Sequence, residues 1–200
     1  MAKSRDFSVS LDFGSDPIFS AVRDASGSMR SVLANSVNRT TTWAKKEAES
    51  RIRRGLALPA DYIKRKGVIW STKASYEDPR SRIVVGFSPM QLRTYSLNAP
   101  AVFKDRQRPI VEVIPGRRFT MTKAFFIKMH GGKQTGIAMK YEDYLKSEED
   151  SRTRPFQGIV LLHAPSIDQH FSLVSENMQE EILRYLRGEV IDELKRKGLI

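Results

Sequence analysis

The stretch from Arg118 to Tyr141 constrains the fold more than any other part of the sequence. Residues 124–129 (AFFIKM) are a short apolar and aromatic run, which is typical of a strand buried on at least one face. The next four residues, 130–133 (HGGK), predict a turn, because two glycines accept the positive φ angles of tight hairpins. Residues 135–139 (TGIAM) then predict the returning strand, so the sequence predicts an antiparallel hairpin.

Two long amphipathic stretches lie on either side of this hairpin in the sequence. The first begins at Asp16-Pro17, a helix-start signal, and keeps apolar residues at three-and-four spacing as far as a stop at Gly55. The second begins after Pro165 and runs towards the C-terminus with a similar stripe. Each stripe needs a surface to cover. The expected fold class is therefore α+β, with a central antiparallel sheet packed by a long N-terminal helix and a C-terminal helix.

The length of 200 residues predicts one domain over 1–200. Shorter patterns predict paired strands at 73–77 and 82–87 around an Asp-Pro turn, a loop over 90–105, and a strand at 110–114. The expected parts are an N-terminal arm (1–15), a helical part (16–70), a sheet with the central hairpin (71–141), a mobile loop (142–158), and a last strand with the C-terminal helix (159–200).

The charge balance is the strongest bulk signal. The formal net charge is +11, and the segment 45–66 carries eight basic against three acidic residues. Such an excess favours polyanionic partners, either nucleic acid or an acidic protein surface; the alternative is a merely solvated basic face. The candidate contacts to a partner or DNA are Lys45, Lys46, Arg51, Arg53, Arg54, Lys64, Arg65, Lys66 and Lys133, the last at the hairpin tip.

Other sequence features concern the compartment. There is no cysteine, which fits a reducing environment. No apolar run approaches the ~20 residues that a membrane-spanning helix needs. The N-terminal residues lack the hydrophobic segment of a secretion signal. We therefore expect a chain that folds in a cytoplasm and has no membrane partner.

Residues able to carry catalysis are few. The histidines are His130, His163 and His170, and the latter two flank Ser166 and Asp168. A serine-histidine-aspartate cluster is disfavoured, because Ser166 and Asp168 are expected to cap and charge the first turn of the last helix. The spacing matches no metal-ligand pattern. We expect no catalytic residue, no metal site, no cofactor and no enzyme activity.

Two further patterns have ordinary structural interpretations. Residues 131–133 (GGK) lack the flanking residues of a phosphate-binding loop, so they predict only a hairpin tip. Phe119, Phe125 and Phe126 are expected in the core rather than on a base-stacking surface, since no RNA-binding signature accompanies them.

Several short motifs together resemble one family. They are residues 37–40 (VNRT), the basic residues 51–54 (RIRR), residues 124–127 (AFFI) with the glycine turn, and residues 162–167 (LHAPSI) before the closing helix. Their order and spacing resemble the minor tail protein Z family of tailed bacteriophages and prophages, which is akin to tail-completion and neck proteins. The chain departs from the family at Thr122-Lys123, where Pro-Gly is usual, and at Lys140, where arginine is common.

The resemblance implies a structural virion protein that completes the head-proximal end of the tail, in tail assembly and head–tail joining. It implies location in the virion, after assembly in the host cytoplasm. The expected partners are copies of itself in a ring, of which a hexamer is one option, other tail or neck proteins, and genomic DNA in the channel. The alternative is a free-standing, non-specific nucleic-acid-binding protein.

Overall fold

The computed structural model of the chain describes residues 7–9, 27–59, 61–66, 68–86, 90–99, 107–129, 134–147 and 155–200. Helices and antiparallel sheets make up these residues, so the predicted α+β class is confirmed. The chain divides into two compact units. The helical unit comprises 1–52, 61–88 and 167–200, and the hairpin unit comprises 53–60 and 89–166. The single domain over 1–200 stays a prediction.

The helical unit contains an antiparallel sheet of order β1-β3-β2. In this sheet Val85 lies opposite Phe7 on one side and Ile69 on the other. Residues of both long helices, among them Ala44 and Phe171, lie with Ile83 around a small apolar space. The elements of the unit are β1 (Phe7–Val9), α1 (Gly27–Gly55, whose last three residues belong to the hairpin unit), α2 (Tyr62–Lys66), β2 (Ile69–Ser71), β3 (Ile83–Val85) and a long C-terminal helix (Ile167–Arg196).

The two long helices pack against each other in antiparallel directions. Polar contacts join Ser31 to Lys197, Asn35 to Glu193 and Arg51 to Glu181. The start of α1 therefore lies beside the end of the C-terminal helix, and the two helices run in opposite directions. The Ser36 hydroxyl, fully buried, donates to the backbone carbonyl of Glu189 over 3.1 Å. The shared core cluster is Val32, Leu33, Val37, Ala74, Leu186 and Val190.

Helix α1 continues through the threonine triplet at 40–42, although β-branched residues have a lower helix propensity. The hydroxyls of Thr41 and Thr42 each donate to the carbonyl four residues back, at 2.8 Å, which satisfies them within the helix. The predicted stop at Gly55 is confirmed. The predicted start at Asp16 lies outside the described residues.

The hairpin unit contains the predicted hairpin. Phe126 pairs with Ile137 and Ala124 with Met139, and Met139 in turn pairs with Val160 of the next strand. The elements are β4 (Met90–Gln91), a 3-10 helix (Leu92–Tyr95), β5 (Ile110–Glu112), β6 (Arg118–Thr120), β7 (Ala124–Met129), β8 (Gln134–Lys140), α3 (Tyr141–Ser147), β9 (Ile159–Leu161) and β10 (His163–Ala164), so that the C-terminal helix is α4.

One face of the β7-β8-β9 sheet forms the core of this unit. Side chains of a strand alternate between faces, so the residues that share the face of Phe126 are buried together. Phe125 and Ile127 point to the other face and are half-buried, so Ile127 is not the core residue that its apolar run suggested. The core cluster is Leu92, Val111, Ala124, Phe126, Ile137, Met139, Tyr144, Val160 and Leu162.

Several finer predictions are wrong. Residues 73–77 do not form a strand, and β3 pairs instead with β2. Part of the predicted loop 90–105 is β4 with the 3-10 helix, and part of the predicted loop 142–158 is α3. Phe119, expected in the core, is 58% exposed on β6. The predicted pairing of a long N-terminal helix and a C-terminal helix with an antiparallel sheet is confirmed, and the sheet in their unit is β1-β3-β2, whereas the hairpin sheet belongs to the other unit.

Replacing Phe126 with alanine should lower the free energy of unfolding by about 3–5 kcal/mol, because it removes a buried aromatic side chain and leaves a cavity. Ile127→Ala should cost clearly less, since Ile127 is half-buried. Denaturant unfolding followed by circular dichroism measures both. The exposed Lys128→Ala is the control, and equal losses for Phe126→Ala and Lys128→Ala would contradict the assigned core.

Candidate nucleic-acid interface

The structure places the sequence-predicted basic residues in different surroundings. Lys46, Arg53, Arg54 and Lys64 are exposed, whereas Lys45 is half-buried. The side chains of Arg65 and Lys66, and Lys133 as a whole, lie outside the described residues. These candidate contact residues therefore do not share one environment.

Arg51 contributes to helix packing rather than to an open basic face. Its Nε lies 2.8 Å from Glu47 Oε1, one turn away, and its Nη2 lies 2.6 Å from Glu181 Oε2 on α4. The hydrogen bond to Glu47, and to a smaller extent the one to Glu181, raises the pKa of Arg51 above its ordinary value. Because both sides of its guanidinium are occupied by carboxylates, Arg51 adds no positive charge for a partner. Its role as a contact residue stays a prediction, which these ion pairs disfavour.

A groove on the surface of the helical unit is lined by aromatic and charged side chains together. It is a shallow depression, open to solvent, with a volume of about 560 Å³. One wall comes from α1, another from α4, and a third from the segment after β2. The lining residues are Asn38, Arg39, Thr42, Trp43, Lys46, Lys73, Tyr185 and Glu189.

Two stacked aromatic rings line the groove. The rings of Trp43 and Tyr185 lie 4.4 Å apart, centre to centre, with planes only 5° from parallel. Burial raises the pKa of the Tyr185 hydroxyl, and its hydrogen bond to Glu189 acts in the same direction. Both side chains are half-buried, so the stack joins the helices and also presents aromatic surface to the groove.

Asn38 holds the segment that carries Lys73. Its side-chain carbonyl accepts from the Ala74 backbone N–H at 2.8 Å, and its side-chain amide donates to the Ala74 carbonyl at 3.0 Å. This paired contact fixes the backbone next to Lys73 against α1. Lys73 is thereby positioned at the groove although it lies outside any helix or strand.

The charges around the groove are unevenly neutralised. Arg39 lies 3.5 Å from Glu189 and 3.4 Å from Glu193, so two carboxylates of α4 offset it. Lys46 and Lys73 are exposed, and neither makes an ion pair with any of the described residues. The charge left for a partner is therefore that of two lysines.

Glu193 is a buried carboxylate at the centre of this ion-pair network, with only 5% of its surface exposed. It accepts from the Asn35 amide at 3.0 Å and lies 2.6 Å from Arg196. The Asn35 hydrogen bond holds the pKa of Glu193 below its ordinary value, and the charges of Arg196 and Arg39 act in the same direction.

Sequence reasoning found Lys46 but missed Trp43, Lys73 and Tyr185 as site residues. A signal was present on α1, because Arg39, Trp43 and Lys46 follow one another at spacings of four and three and so share a helix face. Tyr185 follows the apolar spacing of α4 and so resembles a core residue, and Lys73 lies in residues 73–77, which were predicted as a strand that does not form. No local pattern shows that these positions come together.

Neither of the two described histidines, His163 and His170, lines this groove, and His130 lies outside the described residues. His163 is exposed on β10, and burial lowers the pKa of His170 on α4, which favours its neutral form. Within the described residues, histidine and carboxylate side chains form no cluster of metal-binding size. Among the same residues, no helix combines the length and apolar character needed to cross a membrane.

Comparisons with known proteins found no family model, no curated protein and no solved structure that matches the chain.

Replacing Arg51 with glutamine should lower the free energy of unfolding by about 1 kcal/mol, because it breaks ion pairs within α1 and between α1 and α4. Lys46→Gln removes the same charge from the exposed side of α1 and should stay within about 0.5 kcal/mol of wild type. Tryptophan fluorescence during denaturation measures this, since Trp43 and Trp70 both belong to the helical unit. Equal effects would show that the Arg51 pairs contribute nothing.

Glu193 should make the stability sensitive to acid. A carboxylate whose folded pKa lies below its unfolded value of about 4.5 contributes stability that is complete above that value. The contribution is lost as the pH falls through the lower, folded pKa. Glu193→Gln should therefore be less stable than wild type at neutral pH and lose less stability on acidification. Thermal unfolding as a function of pH measures this, with exposed Glu176→Gln as control; parallel curves for wild type and Glu193→Gln would contradict it.

Proposed function

We propose that this chain is a structural virion protein of a tailed bacteriophage, a minor tail or tail-completion protein at the head-proximal end of the tail. It acts in tail assembly and head–tail joining, by binding partners rather than by catalysis. Its location is the virion, after assembly in the host cytoplasm. Its partners are other copies in a ring, with a hexamer as one option, neighbouring tail or neck proteins, and genomic DNA.

The observation that supports this proposal most is that the side chains of residues 37–40 all take part in packing or bonding within the fold. These four residues are one of the two parts of the family resemblance that lie within α1, the other being residues 51–54. Val37 and Thr40 are buried, Asn38 clamps the Ala74 backbone, and Arg39 reaches two carboxylates of α4. Each side chain thus has a packing or bonding role, which is what a motif that determines a fold requires.

The exposed basic residues suggest how the protein acts in a virion. Arg53 and Arg54 lie in the last turn of α1 and are exposed. In a ring, repeated copies of this basic helix end would line either a channel that carries DNA or a seam against an acidic neighbour. Contacts to DNA there would involve phosphates, because phosphate contacts carry no sequence information and tolerate any genome.

The second candidate is a free-standing, non-specific nucleic-acid-binding protein. The groove with Trp43, Lys46 and Lys73 favours it, since aromatic and cationic side chains together suit nucleic acid. The two candidates differ in their response to salt. Binding to naked nucleic acid that weakens steeply with salt favours the second, whereas rings that persist in salt favour the virion role.

The virion role is tested in the phage or prophage genome that encodes the chain. Inactivating the gene should give particles with incomplete tails in electron micrographs, and normal infectious particles would overturn the proposal. The double change Arg53→Glu, Arg54→Glu then separates the two modes of action. Contacts with DNA predict joined particles that retain their genome poorly, whereas a protein seam predicts tails that fail to complete.

The matched control for this experiment is Arg53→Lys, Arg54→Lys, which keeps both charges at the same positions. It should assemble normally and retain the genome if charge alone matters. A failure as complete as that of the glutamate variant would show that guanidinium geometry is required instead. Wild-type behaviour of the glutamate variant would mean that this helix end is only solvated.

A further inference from the structure

The stacked rings of Trp43 and Tyr185 indicate that the groove of the helical unit suits a ligand with a planar ring. Trp43 and Tyr185 are nearly parallel at 4.4 Å, so they already have the spacing and orientation of stacked planar groups. A further planar ring can extend such a stack. Base–aromatic stacking contributes about 1–3 kcal/mol for each base and works for any base.

The charges of the groove indicate that the ligand is an anion. Lys46 and Lys73 extend from α1 and from the segment after β2, and both are exposed. The acidic group in the lining, Glu189, lies 3.5 Å from Arg39 and accepts from the Tyr185 hydroxyl, so it is already engaged by protein groups. A planar ring flanked by negative groups is the chemistry of a nucleotide in a chain.

The polar side chains of the groove are already occupied. The Asn38 side-chain amide bonds both backbone groups of Ala74, and the Thr42 hydroxyl donates to the backbone carbonyl of Asn38 at 2.8 Å. These are the groups that would otherwise read the edge of a base. Their engagement leaves stacking and charge, which do not depend on the identity of the base.

We propose that this groove binds single-stranded nucleic acid without sequence preference, with a base stacked at Trp43 and neighbouring phosphates at Lys46 and Lys73. A duplex fits less well, because its bases are stacked on one another and their faces cannot reach the rings. The inference goes beyond the proposed virion role. The purified chain would bind single strands whether or not that role is correct.

The test uses the full chain carrying Trp70→Phe, so that Trp43 is its one tryptophan. An oligothymidylate of about 12 nucleotides, within the site sizes of single-strand-binding domains, is titrated while Trp43 emission is recorded. Binding should quench this emission. An oligoadenylate of the same length should bind with similar affinity, and the corresponding duplex should bind more weakly and quench less.

Two variants test the assigned contacts. With a labelled oligonucleotide as reporter, Trp43→Leu should bind about five- to 150-fold more weakly, the loss expected for one stacked base. Lys73→Ala should lower the slope of log affinity against log salt by about 0.7, the effect of one phosphate contact to a single strand. Lys73 is exposed and its replacement leaves the core intact, so this test holds even if Trp43→Leu folds poorly.

The control is Lys195→Ala, which removes the same charge from an exposed site on α4 outside the groove lining. It should leave quenching and salt slope unchanged. The proposal is overturned if Lys195→Ala and Lys73→Ala behave alike, if Trp43 emission does not respond, or if duplex binds and quenches as well as the single strand. Displacement by polyglutamate at equal charge concentration would show a site for acidic protein instead.

Discussion

The antiparallel contact between α1 and α4 is the constraint on which the helical unit depends. The small Ser36 side chain lies fully buried at this contact and bonds directly to the backbone of α4, which requires the two helices to approach closely. This approach buries the carboxylate of Glu193, and the hydrogen bond from Asn35 and the ion pair with Arg196 offset the free-energy cost of removing that charge from water. The same approach brings Trp43 and Tyr185 into a stack, so the groove is a consequence of how the helices pack.

This packing also decides which positive charges remain available. When an arginine or lysine is paired with a carboxylate, the negative charge largely cancels the positive potential that a partner would meet at the surface. Arg39 and Arg51 both reach carboxylates on α4, and both lie on a helix that the sequence marked as basic. Lys46 and Lys73 make no such pair within the described residues and remain exposed. The net charge of +11 therefore overstates what any one surface presents, and the location of unpaired lysines is more informative.

The hairpin unit shows why some elements can be predicted and others cannot. Strands β7 and β8 are rich in apolar residues, and the sequence between them contains two glycines. The hydrophobic pattern and the turn residues therefore both indicate a hairpin. The 3-10 helix at 92–95 and the helix α3 are one or two turns long, too short to show a hydrophobic period. Short helices of this kind are formed because neighbouring elements hold them, as the burial of Tyr144 on α3 illustrates.

The sequence by itself determined the fold class, the end of α1 at Gly55, the extent of the central hairpin and the presence of a long closing helix. These depend on residue spacing along a few turns or strands, which is a local property. Only the tertiary structure decided that the long helices pack on each other, that Arg51 is engaged by Glu181, and that Lys73 lines the same groove as Trp43. The physical reason is that a sequence shows the sign of a charge or the shape of a ring, whereas its partner is set by contacts between residues far apart in the chain.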